Sequence, residues 1–226
     1  MGSSCPARSY RVPVDLRLAQ MRTEYAREGL DEHAAGDDPV ALFQRWLDEA
    51  MTAGVPEPNA MSVATATPDG VPSARVVLLK DFDERGAVFF TRYTSRKGEE
   101  LERNPRAAAV MLWHPLQRQV RIEGRVERLE AEASDAYFAS RPRGAQVGAV
   151  ASPQSHVLAG RDELERLVAD AERTFEGREV PRPGDWGGYR IALERVEFWQ
   201  GRESRLHDRL VFTPGDGGWD RVRLAP

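Results

Sequence analysis

Between residues 60 and 129 the chain repeatedly runs strand, turn, strand with too few residues in between for any parallel crossover. Residues 60–67 alternate, Pro68-Asp69-Gly70 reads as a turn, and 73–80 is rich in β-branched and aliphatic side chains. Asp83-Glu84-Arg85-Gly86 turns again before a short strand at 87–91. Longer strands follow at 106–114 and 117–129, behind a short helix near 95–103 that Asn104-Pro105 terminates. Parallel strands need a crossover of about a dozen residues or more, so this spacing predicts antiparallel pairing.

The flanks are helical. Asp38-Pro39 pairs a cap residue with proline at the first helical position. Val40, Phe43, Trp46, Leu47, Ala50 and Met51 then fall on one face at helical spacing. Further helices are expected at 14–28, 132–140 and 161–176, and strands at 188–200, 208–213 and 219–224. Six or seven antiparallel strands with flanking helices predict an α+β protein around a β-barrel, one domain over 14–226 behind a frayed, disordered stretch at 1–13.

The chain has 226 residues, a net charge of −4 and one cysteine, Cys5. That balance lacks the basic footprint of nucleic-acid binders. A lone cysteine fits a reducing compartment, and no apolar run approaches the ~18 residues of a membrane helix, so a soluble cytoplasmic protein is expected. The histidines, His33, His114, His156 and His207, lack metal-ligand spacing. Neither G-x-G-x-x-G nor a P-loop is present. A phosphorylated ligand would therefore have to be held largely by side chains.

Of 32 cationic residues only Lys80 and Lys97 are lysine. A lysine is a compact point charge and an arginine a planar fork, so the pair marks either a specific need for an ammonium or an arginine bias in composition. As a strand, 75–80 places Arg75, Val77 and Leu79 on one face and Val76, Leu78 and Lys80 on the other. Both faces are mostly apolar, which predicts burial on both sides with a cation at each end, held by a ligand or by rim salt bridges. On a helix at 132–140, Tyr137 and Arg141 share a face, as an anion clamp or as an ordinary pair on a helix surface, with Pro142 and Gly144 breaking the helix beyond. Arg205, His207 and Arg209 alternate along a strand face near Trp199, as a ligand site or as a solvated face.

Together these segments resemble the pyridoxamine 5′-phosphate oxidase family. The matching pieces are R-V-V-L-L-K (75–80), F-F-T (89–91), S-R-K-G (95–98), N-P-R (104–106), R-Q-V (118–120) and Y-F-x-S-R-P-R (137–143). Q-S (154–155), W-G-G-Y-R (186–190), E-F-W-Q-G (197–201), R-L-H-D-R (205–209) and R-L-A-P (223–226) follow in the family's order. The resemblance implies a split-barrel flavoprotein, a homodimer with FMN at the subunit interface. It implies oxidation of pyridoxamine 5′-phosphate and pyridoxine 5′-phosphate by dioxygen, releasing hydrogen peroxide. It places Arg75, Val76, Val77, Leu78, Leu79, Lys80, Phe90, Thr91, Arg96, Lys97, Gln119, Gln154, Ser155, Trp199 and Arg209 at the flavin. Lys80, Tyr137 and Arg141 fall at the substrate phosphate, and Arg205, Leu206 and His207 near the pyridine, with Arg205 and His207 as the catalytic pair. Arg22 and Tyr25 resemble a lid segment over the substrate.

The chain departs from the family's pattern at Ala145, where a serine on the substrate phosphate is frequent. It also departs at Phe90 (often tyrosine), Thr23 (often basic) and Val150 (often aromatic). Rival expectations are a phenazine-type oxidase of the same superfamily and a non-catalytic flavin- or haem-binding barrel.

Overall fold

The computed structural model describes residues 29–226. The expected frayed start and lid helix, with Arg22, Thr23 and Tyr25, lie outside them. A one-turn helix α1 (Glu32–Ala35) precedes α2 (Pro39–Thr52). The Asp38 carboxylate accepts from the Val40 N–H at 2.8 Å, capping α2 as its sequence predicts. The helix buries Val40, Leu42, Phe43, Trp46 and Ala50. Met51 is 53% exposed, against expectation; it is turned roughly 100° from Ala50 and leaves the apolar stripe.

The strands are β1 (Ala60–Ala66), β2 (Pro72–Leu78), β3 (Asp81–Asp83) and β4 (Gly86–Arg92). Helix α3 (Arg96–Arg103) leads to β5 (Arg106–Trp113) and β6 (Arg118–Arg128). Three helices follow, α4 (Ala131–Ser140), α5 (Arg143–Ala151) and α6 (Arg161–Thr174). The chain closes with β7 (Trp186–Ile191), β8 (Arg195–Gln200), β9 (Asp208–Gly215) and β10 (Gly218–Arg223).

Every pairing is antiparallel. The ten-stranded sheet runs β10-β9-β8-β6-β5-β1-β2, with β3, β4 and β7 joined off that path. The sheet is curled by β6, which pairs β8 through residues 118–123 and then β7 through 126–128. Gly124 marks the switch, since a Cβ there would stand 1.9 Å from the Ala192 carbonyl oxygen. The strand expected at 188–200 is thus two, because the partners change at 192–194. Among the described residues ten strands replace the six or seven expected, the short β3 being too brief to leave a pattern. Helix α5 was not expected, since Pro142 and Gly144 read as breakers; Pro142 instead caps a new helix that contains Gly144.

The core lies between the sheet and α2. Phe43 meets Phe82 with ring centroids 3.9 Å apart, and Trp46 meets Phe198 edge-on at 5.3 Å. Phe43 is fully buried, so truncating it to alanine would cost about 3–5 kcal/mol. The opposite face of β2 is not buried as expected. Val76 is 65% and Leu78 37% exposed, and Leu112 on β5 is 58% exposed. In register this face continues from Val76 through Ser62 and Val110 to Arg121.

Candidate functional site

Helices α3, α4 and α5 and the loop after α5 close over β2 and β4 around a cavity of about 740 Å³. Its walls include Arg75, Lys80, Phe90, Thr91, Arg96, Lys97, Tyr137, Arg141, Gln154 and Ser155. Val76, Val77 and Leu78 complete the β2 side. Thus cationic clusters far apart in sequence, from Arg75 to Arg141, line one cavity.

Lys97 is a buried cation. Ser95 caps α3, and Gly98 follows Lys97 where a Cβ would stand 2.2 Å from the Tyr93 carbonyl oxygen, so only glycine lets the helix start this close to the strand. The residue is 8% exposed, and its ammonium donates to Thr91 Oγ1 at 3.0 Å, Ser95 Oγ at 3.3 Å and Gln154 Oε1 at 3.3 Å. All three acceptors are neutral. Burial and then the nearby Arg75 charge pull its pKa down to about 8, with Glu100 opposing. Gln154 Oε1 also accepts from the Thr91 hydroxyl at 2.8 Å, which pins the loop to β4. Ser155, next along, takes a left-handed φ of 72°.

Arg75 and Arg96 converge on Glu100. Glu100 Oε2 accepts from Ser73 Oγ at 2.6 Å, from Arg75 Nη2 at 3.3 Å and from the Thr65 hydroxyl. Its Oε1 accepts from Arg96 Nε at 2.9 Å. Burial pushes the Glu100 pKa up, but hydrogen bonds from Ser73, Thr65, Arg96 and Arg75 outweigh it and hold the carboxyl at about 2. Arg75 also donates to the Val63 carbonyl at 3.2 Å and to Thr65 Oγ1 at 2.6 Å. Both of its terminal nitrogens are therefore engaged within the chain.

On the other wall Tyr137, Phe90 and Trp186 stack as a ladder, Tyr137 to Phe90 at 4.0 Å and Phe90 to Trp186 at 5.5 Å. Lys80 stands 5.9 Å from the Tyr137 ring centre and Arg141 4.9 Å from that of Trp186. Arg141 lies just past α4 rather than on its face, in an extended conformation. Burial lowers its pKa, and its buried Nη1 has no hydrogen-bond partner among the described residues. Leaving a guanidinium nitrogen buried and unpaired is costly; an anion in the cavity would remove that cost. Ala145 lines the same wall and presents no hydroxyl. Val150 packs in the small cluster under α5, and its carbonyl accepts from Arg92 at 2.9 Å.

Other expected residues lie elsewhere. Leu79 is turned into the core at 5% exposure. Gln119, Trp199 and Arg209 are neighbours on β6, β8 and β9, separated from β2 along the strand path by β5 and β1. Arg209 donates to Glu197 Oε1 at 2.8 Å and to the Ala225 carbonyl at 3.0 Å. Arg205, His207 and Arg209 do not alternate on one strand as expected. Arg205 and Ser204 have positive φ in a 3-10 turn, and β9 begins only at Asp208. The turn projects Leu206, 69% exposed. His207 is brought to Trp199, ring centres 4.6 Å apart, and its Nδ1 accepts from the Arg202 N–H at 3.1 Å. A neutral ring thus carries its proton on Nε2. Burial and the Arg205 charge lower its pKa, which favours that neutral form.

Trp186 and Glu100 had no assigned role in the sequence. Glu100 was legible only as the residue four after Arg96 on one helix face.

Among the described residues no helix is long and apolar enough to cross a membrane. Residues 47–175 match the family described as pyridoxamine 5′-phosphate oxidase. Residues 186–226 match the pyridoxine 5′-phosphate oxidase C-terminal dimerisation region, which supports a homodimer. A pyridoxine/pyridoxamine 5′-phosphate oxidase of Rubrobacter xylanophilus is 60% identical over 92% of this chain and 96% of its own. One from Pseudomonas paraeruginosa is 55% identical over 92% and 98%. PhzG from Burkholderia lata, solved with tetrahydrophenazine-1-carboxylic acid, superposes with a TM-score of 0.80 at 35% identity, over 84% of this chain and 94% of its own. A Nostoc punctiforme FMN-binding protein shares the fold at a TM-score of 0.65 and 15% identity, over 81% and 97%. By its antiparallel split barrel, its cationic cavity and these relatives, the chain belongs to the pyridoxamine 5′-phosphate oxidase family.

Proposed function

We propose that this protein is an FMN-dependent oxidase that converts pyridoxamine 5′-phosphate and pyridoxine 5′-phosphate to pyridoxal 5′-phosphate. Dioxygen is the acceptor, and hydrogen peroxide, with ammonia from the amine, is released. The observation that carries this reading is a cavity with cations on two walls and, among the described residues, no carboxylate lining it. Each of two phosphate groups brings nearly two negative charges, and charge-assisted hydrogen bonds are worth about 1.5–3 kcal/mol each. Lys97 among neutral oxygens and Arg141 with an unpaired nitrogen have unmet demand for an anion.

On this reading Lys97 and Arg96, backed by Arg75, hold the FMN phosphate, and Lys80, Tyr137 and Arg141 hold that of the substrate. Bound flavin supplies two-electron acceptance and reaction with dioxygen. The chain supplies orientation and charge. Arg205 and His207 would approach the pyridine from the partner subunit, because in one chain they sit at the far end of the strand path from β2. The exposed apolar face of Val76, Leu78 and Leu112 gives that partner a surface to cover.

The test is to purify the protein, record the flavin spectrum and follow peroxide release with each phosphorylated vitamer. Colourless protein that cannot be reconstituted with FMN would count against the reading. The likeness to PhzG favours one alternative, a phosphate-free aromatic acid as substrate. Turnover of such an acid, with none of either vitamer, would select it.

A further inference from the structure

An acid beside a phosphate site needs a reason. Glu100 is 6% exposed and lies directly behind the cationic wall, bonded to two of the arginines that line it. As a bare charge it would repel a phosphate. Its geometry suggests a different effect. One oxygen is fixed by the Ser73 and Thr65 hydroxyls and by Arg75. The other takes only the Nε–H of Arg96, one turn earlier on α3. No further hydrogen bond holds the Arg96 side chain among the described residues, and it is otherwise 61% exposed. Bonded through Nε, its guanidinium keeps both terminal nitrogens for a ligand in the cavity. The anchored end of Glu100 thus fixes where the free end of Arg96 points.

We propose that Glu100 is a positioning residue for the phosphate end of the cofactor, acting through Arg96. This rests on reading the cavity as the FMN site. An arginine pre-set in this way loses less conformational freedom when the phosphate arrives. The carboxylate's repulsion is offset because its charge is shared among four donors.

The experiment is to titrate apo-protein with FMN and with riboflavin, which lacks the phosphate, following the quenching of flavin fluorescence. In Glu100→Gln the amide oxygen is drawn to the three donors, so the amide NH₂ faces the Arg96 Nε–H and releases it. We expect FMN affinity to fall by about tenfold with riboflavin affinity unchanged, the size of one charge-assisted contact. Arg96→Ala should give the same FMN-selective loss, and the double variant no further loss. Glu100→Asp keeps the charge but withdraws it from Arg96, and should also weaken FMN selectively, which keeps the proposal testable if the glutamine variant fails to fold. Unchanged or tighter FMN binding would overturn the proposal. Equal weakening of FMN and riboflavin would do so too, because it would make Glu100 a purely structural residue. Wild-type protein that binds neither flavin would instead sink the reading of the cavity.

Discussion

The Lys97 ammonium donates to the Thr91 hydroxyl at 3.0 Å, joining the first turn of α3 to β4 where both side chains are buried. Burial and Arg75 hold the Lys97 pKa at about 8, below lysine's ordinary 10.5. A folded pKa below the unfolded one means that charged Lys97 destabilises the empty site below about pH 8. That penalty fades as pH rises toward 10.5, where the unfolded lysine also discharges. A bound phosphate favours the charged form and reverses the balance. FMN affinity measured by fluorescence quenching should therefore fall as pH rises above about 8. In Lys97→Met it should be weaker throughout and lack that break. A flat profile between neutral pH and 10 in the wild type would show that Lys97 does not meet the phosphate.

Ala145 faces the cavity beside Arg141 and Pro142. A hydroxyl there has room to donate to a substrate phosphate. Ala145→Ser is expected to lower KM for pyridoxine 5′-phosphate by roughly 2- to 10-fold, the worth of one net hydrogen bond of about 0.5–1.5 kcal/mol. The turnover number should hardly move, because the contact is equally present in ground and transition states. An unchanged KM would mean that the substrate phosphate sits elsewhere.

Lys80→Arg should not be conservative. The Lys80 ammonium lies 5.9 Å from the Tyr137 ring centre, and a bulkier planar fork must displace that ladder or turn away. Raised KM for both vitamers, by tenfold or more, is the expected outcome. Steady-state kinetics that match the wild type would remove Lys80 from the substrate site.

Arg205 and Lys80 test the shared site together. Arg205→Leu should lower turnover while FMN stays bound, and Lys80→Ala should raise KM. If each site takes Lys80 from one subunit and Arg205 from the other, a mixed dimer of the two variants rebuilds one intact site. Co-expression should then restore activity above that of either variant alone. Activity no greater than the average of the two would place both residues in the same chain's site.

The sequence determined most elements, because periodicity and punctuation are local. Asp38-Pro39 starts α2, and the turn spacing allows only antiparallel neighbours. It also singled out Lys80, Lys97, Tyr137 and Arg141, since few residues of those types sit in buried or helix-end settings. What it missed depends on partners distant along the chain. The outward face of β2 is as apolar as a core strand, yet only the tertiary packing decides that α3 covers the side of Ser73 and Arg75 and leaves Val76 and Leu78 open. Arg205 fits a strand pattern, but positive φ at Ser204 and Arg205 sets a turn instead. Glu100 reads as one acid on a charged helix; only the packing of α3 on β1 and β2 converts it into the anchor of two arginines. Composition and spacing fixed which charges the chain carries and which strands can pair. Tertiary packing alone decided which charges are buried together, because desolvation and hydrogen-bond geometry exist only once the elements meet.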